Sequence, residues 1–338
     1  MKKVLIVGGS GYLGQFLVES LSRHFELAFT YHRQESSRPC QEAETEKSVE
    51  AYQVDLSTGS GFESISTDFG EPNVVINCAA ISQPRICEEK GELARSVNIP
   101  TKLVEWLSEH FHDRPLLVHM STDHVYEGSK AFNREEEEEE EEGVGAREEE
   151  KAGGKEDAPR PVNAYGKSKK DSEEYIKKHY SNHIIFRSSI IYGKNKDVSR
   201  TLFLQWMSTA LAGDAPVGFF TNEFRSPIYV MDIVKLMESI SNQTEGGELR
   251  LKNWAKQTMK TFNLGGPDRL SRFDMAKALC IHCGYELLNV MPVDRPEGVK
   301  APLDASMNIS RLQETFEFQP TRYAQALKEI FLKEGSSN

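Results

Sequence analysis

Short apolar runs alternate along the first part of the chain with longer segments in which apolar residues recur every three or four positions. The short runs are typical of strands buried in a parallel sheet, and the longer segments are typical of helices that pack on it. The predicted strands are Val4–Val7, Glu26–Tyr31, Ala51–Val54, Val74–Asn77, Leu116–Met120 and His183–Arg187. This order predicts an α/β fold with a Rossmann-type, doubly wound parallel sheet.

Three glycines in the spacing G-x-x-G-x-x-G join the first strand to the first helix. Gly8 permits a tight turn, Gly11 lets backbone N–H groups approach a pyrophosphate, and Gly14 lets the helix pack close to the strand. The N-terminus of that helix favours negative charge, because its first N–H groups are unpaired and its macrodipole is positive there. We therefore predict a dinucleotide site formed by Gly8, Ser10, Gly11, Tyr12, Leu13 and Gly14.

The end of the second predicted strand indicates which nicotinamide cofactor fits. NAD sites usually place an Asp or Glu there to hold the ribose 2′-hydroxyl, whereas this chain has Tyr31, His32 and Arg33. A guanidinium can meet a 2′-phosphate with charge-assisted hydrogen bonds. The expected cofactor is therefore NADP(H), with a solvated surface arginine as the alternative interpretation of Arg33.

Further cofactor contacts are expected at the ends of later strands. Asp55 follows the third strand and can accept from the adenine amino group, while Leu56 covers the ring. Small residues after the fourth strand let a dinucleotide pass close above the sheet, and Ile191 follows the sixth strand, near the nicotinamide end. Together the residues expected here are Asp55, Leu56, Cys78, Ala79, Ala80, Ser82 and Ile191.

The fifth strand ends in Ser121-Thr122-Asp123, and a later helix carries Tyr165 and Lys169 one turn apart on the same face. The ammonium of a neighbouring lysine stabilises a phenolate and brings the phenol closer to the pKa that proton transfer at neutral pH needs. Lys169 can also hold the nicotinamide ribose, while Thr122 steadies the carbonyl oxygen. We predict Thr122, Tyr165 and Lys169 as catalytic residues, and Tyr165 and Lys169 also as cofactor contacts.

Substrate contacts are expected from Ser121 and Asp123, because ligands of open α/β sheets collect at the carboxyl ends of strands. Arg225 is placed to meet an anionic substrate group, although a structural salt bridge is an alternative role for it.

The strict alternation ends after residue 193. The sequence predicts an NADP-binding Rossmann domain over 1–192 and a smaller α+β substrate or partner lobe over 193–225 and 244–338. Residues 226–243, a strand at Ile228–Val230 and a helix from Asp232, are expected to return to the main sheet. The final amphipathic helix, Tyr323–Leu332, could either dock a partner or pack on the smaller lobe.

Most of the net charge of −11 is local. Residues 134–157 hold thirteen acidic and four basic residues, a charge of −9, and include eight consecutive glutamates from Glu135 to Glu142. Such a run cannot bury enough apolar surface to offset ordering, so residues 134–158 are predicted to be a disordered acidic insertion. The acidic balance argues against binding nucleic acid or an anionic membrane.

Five cysteines without framework spacing indicate a reducing compartment, and no apolar run approaches the length of a membrane span. A cytoplasmic protein is expected. Cys280-Ile281-His282-Cys283 has no second Cys or His pair spaced to complete a tetrahedral site, so core packing is favoured there and no metal site is predicted.

Taken together, the motifs resemble the extended short-chain dehydrogenase/reductase family. Within it they are most similar to the RmlD-like branch of dTDP-4-dehydrorhamnose reductase and the regulatory β subunit of methionine adenosyltransferase. The resemblance rests on the glycine turn and on Asn77–Ala80, Ser121–Gly128, Asn163–Lys169, Arg187–Gly193 and Phe224–Pro227 with Asp232.

This resemblance implies two functions. Reductase members transfer a hydride from NAD(P)H to a 4-keto sugar nucleotide, with residues matching Thr122, Tyr165 and Lys169. Regulatory members keep the NADP site but bind the catalytic subunit that makes S-adenosylmethionine. Cys78–Pro84 is similar to the regulatory loop, and Asn222–Pro227 lacks the Asp-Gln-x-Gly-x-Pro-Thr run of the sugar reductases. The leading hypothesis is therefore a regulatory partner of methionine adenosyltransferase, and the alternative is an NADPH-dependent sugar-nucleotide reductase.

Overall fold

The structure is a computed structural model that describes residues 1–32, 49–112, 114–135, 158–198, 202–252, 254 and 259–331. The predicted acidic insertion lies almost wholly outside the described residues, as does Arg33. Within the described ranges, the helices are all too short or too polar to cross a membrane.

Seven parallel strands form the central sheet, in the order β13-β6-β5-β4-β1-β2-β3. The strands are β1 Lys3–Val7, β2 Glu26–Tyr31, β3 Glu50–Gln53, β4 Val74–Asn77, β5 Leu116–Thr122, β6 His183–Ser188, β7 Ile191–Tyr192, β8 Val217–Phe220, β9 Phe224–Arg225, β10 Ile228–Tyr229, β11 Thr244–Glu245, β12 Glu248–Leu249, β13 Thr261–Leu264, β14 Leu270–Ser271 and β15 Val290–Val293. The central strands are buried because helices cover both faces of the sheet. The predicted fold class is confirmed.

Eleven α-helices are seen in the described residues, and most bury one apolar stripe against a sheet. They are α1 Tyr12–Leu21, α2 Phe62–Asp68, α3 Pro84–Glu89, α4 Gly91–Asn98, α5 Thr101–His110, α6 Ala164–His179, α7 Phe203–Leu211, α8 Val230–Asn242, α9 Arg272–Cys283, α10 Ser310–Phe316 and α11 Tyr323–Phe331. Helix α4 does not continue into α5, because Pro100 lies between them and proline interrupts a helix.

One predicted strand does not join the sheet expected for it. The strand at 228–229, β10, pairs with β7 in a separate two-stranded sheet. The seventh strand of the main sheet is instead β13, from the region assigned to the smaller lobe, and it pairs in parallel with β6. All four residues of β13 are buried, so they occupy a position covered on both faces. The helix α8 does pack against α1, beside the main sheet.

The apolar face of the final helix is buried inside the protein. Tyr323, Ala326 and Leu327 are buried, and α11 packs mainly against α9. The loop before it is held by Asp232, which accepts hydrogen bonds from the backbone N–H and the hydroxyl of Thr321 at 2.7 and 2.9 Å. Of the two roles expected for this helix, the described part takes the packing role.

Candidate active and cofactor site

The glycine turn lies where the strand order changes direction between β1 and β4, the position at which open α/β sheets bind ligands. Gly8 has φ of +86°, a conformation that favours glycine. A Cβ at Gly14 would lie 2.3 Å from the carbonyl oxygen of Gly8, so α1 can pack this close only because residue 14 has no side chain. Gly11 precedes α1, and none of the described side chains caps the helix there. The first N–H groups of α1 are therefore available to phosphate oxygens, which fits the pyrophosphate of a dinucleotide.

The side chains beside this turn are structural. Tyr12 is buried and donates to the carbonyl of Lys194 at 3.1 Å, and Leu13 is buried in the same apolar core. Their backbone N–H groups, rather than their side chains, lie at the predicted phosphate site. Ser10 is half-buried, and its carbonyl accepts a hydrogen bond from Gln15 at 3.0 Å.

The loop after β4 approaches the glycine turn from the other side of the switch point. A Cβ at Gly8 would be 2.9 Å from Ala79, so the two segments touch. Asn98 of α4 fixes the far end of the loop by accepting from the N–H of Ile81 at 2.7 Å and donating to Ser168 of α6 at 2.9 Å. Burial raises the pKa of Cys78 to about 12, so this thiol stays protonated. Ala80 and Ser82 are half-buried in the same loop.

At the other end of the expected dinucleotide, Tyr31 closes β2 half-buried and His32 is exposed. One carboxylate oxygen of Asp55 accepts from the N–H and the hydroxyl of Ser57 at 2.8 and 2.6 Å, which lowers the pKa of Asp55. This oxygen stabilises the turn after β3. Leu56 is half-buried against the core beneath.

The carboxyl end of β5 and the start of α6 meet in one cluster. Thr122 begins a short 3₁₀ turn, and its hydroxyl oxygen accepts from the N–H of His124 at 3.2 Å. A Cβ at Gly166 would be 2.2 Å from the carbonyl oxygen of His124, so the first turn of α6 lies directly against this 3₁₀ turn. The half-buried ring of Tyr165 meets His124 edge-on, with ring centroids 5.6 Å apart.

Asn163 holds this arrangement together. Its side-chain oxygen accepts from the N–H of Gly166 at 2.8 Å and caps α6, while its amide nitrogen lies 3.0 Å from Nδ1 of His124. Burial lowers the pKa of His124 to about 4, so its imidazole is neutral at pH 7. The contacts of Asn163 and His124 thus hold the end of β5, with Thr122, against the start of α6, with Tyr165.

Lys169 lies one helical turn further into the molecule and is only 1% exposed. Its Nζ is 3.0 Å from Nε2 of His119, a fully buried residue of β5. Burial lowers the pKa of Lys169 to about 8, although Glu173 and Cys78 act in the opposite direction. A strongly perturbed lysine beside a tyrosine, at the ligand-binding edge of the sheet, is typical of a functional site.

One turn after Lys169 on α6, Glu173 forms a buried ion pair with Arg187. Arg187 of β6 is fully buried and donates to both carboxylate oxygens of Glu173, at distances of 2.7 to 3.2 Å. Ser121 donates to the same carboxylate at 2.5 Å. The structure therefore places the Ser121 hydroxyl on this buried ion pair.

A second charged cluster joins β5 to the smaller lobe. Asp123 accepts from Ser189 at 3.0 Å and lies 3.6 Å from Nε of Arg225. Arg225 is 1% exposed and is also 3.6 Å from Glu223. Two more guanidiniums bind Glu223, from Arg272 at 2.9 Å and Arg295 at 3.2 Å.

These three arginines face two carboxylates, so the cluster has one positive charge in excess. Each also has one buried N–H nitrogen with no hydrogen-bond partner among the described residues: Nε of Arg225, Nη1 of Arg272 and Nε of Arg295. Arg225 thus sits in the salt bridges that the sequence left as its alternative role, within a cluster that still has unused donors.

The cysteines of the Cys-x-x-Cys segment are part of the hydrophobic core. In Cys280–Cys283 the first cysteine is buried and the second half-buried, and both belong to the packing around α9. Within the described ranges, His, Cys, Asp and Glu side chains nowhere form a group of three that could hold a metal ion. Ile191 is half-buried in β7, next to the same core.

A doubly wound sheet, a glycine turn at its switch point and a Tyr-x-x-x-Lys pair beside β5 define a dinucleotide-binding protein of the short-chain reductase type. Residues 1–335 match the model of the RmlD substrate binding domain. The chain belongs to this family, which confirms the family recognised from the sequence motifs.

Relatives carry both of the functions that the resemblance implies. A dTDP-4-dehydrorhamnose reductase from Aggregatibacter actinomycetemcomitans is 24% identical over 98% of this chain and 98% of the relative. Methionine adenosyltransferase 2 subunit beta from Pongo abelii is 22% identical over 97% of this chain and 86% of the relative. A probable low-salt glycan biosynthesis reductase from Haloferax volcanii is 28% identical, and that match spans 66% of this chain and 65% of the relative.

The fold is also seen in a crystal structure of dTDP-4-dehydrorhamnose reductase from Bacillus anthracis in complex with NADP. It superposes with a TM-score of 0.72 at 20% identity, covering 98% of this chain and 100% of that one. The NADP in that crystal structure is the cofactor that the sequence predicts for this chain.

Sequence reasoning missed three polar residues that pack around the site, His119, Asn98 and Ser172. His119 interrupts the apolar run from Leu116 to Met120 in a buried strand, which is a signal that could have been noticed. Asn98 and Ser172 carry no such signal, because polar residues at intervals along a helix are usually solvated. Their roles follow only from the packing of α4, α6 and β5.

Proposed function

We propose that the protein is an NADP(H)-dependent reductase that converts a carbonyl group to an alcohol in a substrate with an anionic part. The observation that carries this proposal is the arrangement of Thr122, Tyr165 and Lys169. The first turn of α6, with Tyr165, packs on the 3₁₀ turn that Thr122 begins, and Lys169 follows on the same helix face with a lowered pKa.

The chain's own residues divide the work as follows. The glycine turn and the N-terminus of α1 hold the pyrophosphate, and Tyr31 and His32 lie at the end of β2, where a 2′-phosphate would be met. Lys169 holds the ribose hydroxyls of the nicotinamide half with its ammonium. Bound NADPH supplies the hydride.

The proton comes from Tyr165. The Thr122 hydroxyl holds the carbonyl oxygen, and the phenol gives its proton to that oxygen as the carbon receives the hydride, so the product is a neutral alcohol. Lys169 stabilises the phenolate that remains, until a proton from solvent restores the phenol.

The substrate class follows from the charged cluster on the other side of Asp123. Its excess positive charge and its unused N–H donors favour a substrate with a carboxylate or phosphate group, since a buried cationic excess is stabilised by an anion. Nucleotide sugars satisfy this requirement, and the relatives named dTDP-4-dehydrorhamnose reductase make them the first substrates to test.

The test is NADPH consumption with a panel of 4-keto sugar nucleotides, comparing the wild type with Tyr165→Phe. We expect turnover to fall about 100-fold or more, because only the proton donor is lost, while NADPH affinity stays nearly unchanged. Tyr175→Phe is the control, since Tyr175 lies on the same helix but stacks on His179. Turnover by Tyr165→Phe at the wild-type rate would reject Tyr165 as the acid.

A second candidate is a regulatory partner of a methionine adenosyltransferase catalytic subunit. Relatives named as its beta subunit match 97% of this chain, and Arg225 and Glu223 form a buried ion pair in the segment where the sugar-reductase run is missing. The surface for such a partner would lie away from the apolar face of α11, which packs on α9.

This candidate is tested by co-purification of the full chain with a purified methionine adenosyltransferase catalytic subunit in the presence of NADP. Retention by the wild type and by Tyr165→Phe alike would support a regulatory role, since docking needs no proton donor. A lack of retention by both variants would argue against it.

We also propose that the protein works in a reducing compartment, the cytosol. The four cysteines of the described ranges, Cys78, Cys87, Cys280 and Cys283, are all free thiols.

A further inference from the structure

The contact between Lys169 and His119 involves a residue to which the proposed reaction gives no role. His119 is a residue of β5 whose ring faces α6, and three polar groups surround that ring. Nδ1 is 3.1 Å from the amide nitrogen of Asn77, and Nε2 is 3.0 Å from both the Ser172 hydroxyl and Nζ of Lys169. Burial lowers the pKa of His119 well below its ordinary value, so the ring is neutral and carries one proton.

A backbone group decides which nitrogen carries that proton. The N–H of Ala79 lies 3.2 Å from Oδ1 of Asn77, and a backbone N–H can only donate. The amide of Asn77 is therefore oriented with its oxygen toward Ala79 and its nitrogen toward His119. Since the amide nitrogen also donates, Nδ1 of His119 is the acceptor, and the proton of the neutral ring is on Nε2.

The same reasoning extends to the other side of the ring. The Ser172 hydroxyl donates to the carbonyl of Lys169 at 2.8 Å, so its lone pair is free to accept from Nε2–H. A charged Lys169 would then face this N–H with an ammonium, which has donors only. A neutral amine has a lone pair and can accept from this N–H as a second acceptor that shares the proton with the Ser172 hydroxyl.

We propose that His119 is a positioning residue for Lys169: its Nε2–H donates to the neutral amine and repels the charged ammonium, which turns toward the cofactor side of the site. The proposal rests on the proposed NADP(H) site for its functional meaning. It gives Lys169 two positions, one on His119 when uncharged and one on the ribose hydroxyls when charged.

Burial is the main cause of the lowered pKa of Lys169, and the other groups around the pair act as follows. Around Lys169, Glu173 on α6 favours the charged form, the Cys78 thiol after β4 is protonated, and Arg187 on β6 is bound to Glu173. Facing His119 are Lys169 itself and, on β6, His183, whose pKa burial lowers to about 4.

The first experiment measures the affinity for NADPH by its fluorescence from pH 6.5 to pH 10, for the wild type and His119→Phe. In the wild type, affinity should fall as Lys169 loses its proton. Without the opposing N–H, Lys169 keeps its proton to higher pH, so the midpoint should rise by about one pH unit. His119→Leu serves the same purpose if the larger ring is not accommodated.

Two further variants assign the effect. Lys169→Met should show no midpoint in this range, and His183→Phe, a buried histidine of the neighbouring strand, should leave the wild-type midpoint unchanged. An unchanged or lower midpoint in both His119 variants would overturn the proposal.

A second measurement needs no cofactor, so failure of NADPH binding does not remove the test. The pH dependence of urea unfolding also reports the protonation of Lys169. In the wild type, the free energy of unfolding should rise at alkaline pH as Lys169 loses its proton. We expect this rise to occur at higher pH in His119→Leu. The same pH dependence in both proteins would overturn the proposal even if the reductase function fails.

Discussion

Lys169 should destabilise the protein at neutral pH, and the size of the effect follows from its burial. Its ordinary pKa of 10.5 is lowered to about 8 in the folded protein. Each tenfold change in a protonation equilibrium is worth about 1.4 kcal/mol, so the buried ammonium costs about 3 kcal/mol below pH 8. The unfolded chain binds more protons than the folded one between pH 8 and 10.5, so stability rises with pH in that interval and the gain is lost as pH falls through 8.

The perturbation that isolates this effect is Lys169→Met, compared with the wild type by urea unfolding at pH 7 and pH 9.5. We expect Lys169→Met to be the more stable protein at pH 7, and its advantage to shrink by about 2 kcal/mol at pH 9.5. The change with pH is the decisive quantity, because the packing of the side chain's methylene groups does not depend on pH.

The control is Lys170→Met on the same helix. Lys170 is 37% exposed and pairs with Glu174, so its removal should leave the pH dependence as in the wild type. A difference between Lys169→Met and wild type that stays constant from pH 7 to pH 9.5 would refute the reasoning.

Two other changes test the structure around the site. Gly14→Ala places a Cβ 2.3 Å from the Gly8 carbonyl and should weaken NADPH binding by about tenfold or more in a fluorescence titration; Gly91→Ala, with open space around it, is the control, and equal affinities would contradict the close approach. Glu173→Gln leaves buried Arg187 without its counter-charge and should lower the free energy of unfolding by about 3–5 kcal/mol in urea. Because the pKa of Glu173 is lowered in the fold, its contribution is present at neutral pH and lost as pH falls; a loss under 1 kcal/mol would contradict this account.

The central strands of the sheet were predictable because they are buried on both faces, and a continuous apolar run bounded by turn residues has few alternatives. β13 was not assigned to the sheet, because Thr261–Leu264 is short and lies far along the chain from its partner β6. The pattern of four residues fixes a strand but not the sheet that it joins.

The candidate site shows the same difference between features with a local sequence pattern and features that depend on distant partners. Gly14 and the pair of Tyr165 and Lys169 are visible in sequence because their spacing is local. His119 acts through a partner 50 residues away, Lys169, and no local pattern encodes such a distance.

The contrast between the two buried charges of α6 bears on the choice between the functions. Glu173 is matched by Arg187 and Ser121, as a charge kept for stability would be. Among the described residues, Lys169 has no carboxylate within salt-bridge distance, and its burial lowers the stability of the fold, so a protein that needed only the fold would gain by replacing it. A regulatory protein that keeps NADP would still need its ammonium, but it would not need the phenol of Tyr165 beside a neutral His124. The comparison that separates the functions is therefore Lys169→Met against Tyr165→Phe: loss of NADPH binding in the first alone, with loss of turnover in both, is the result expected of a reductase.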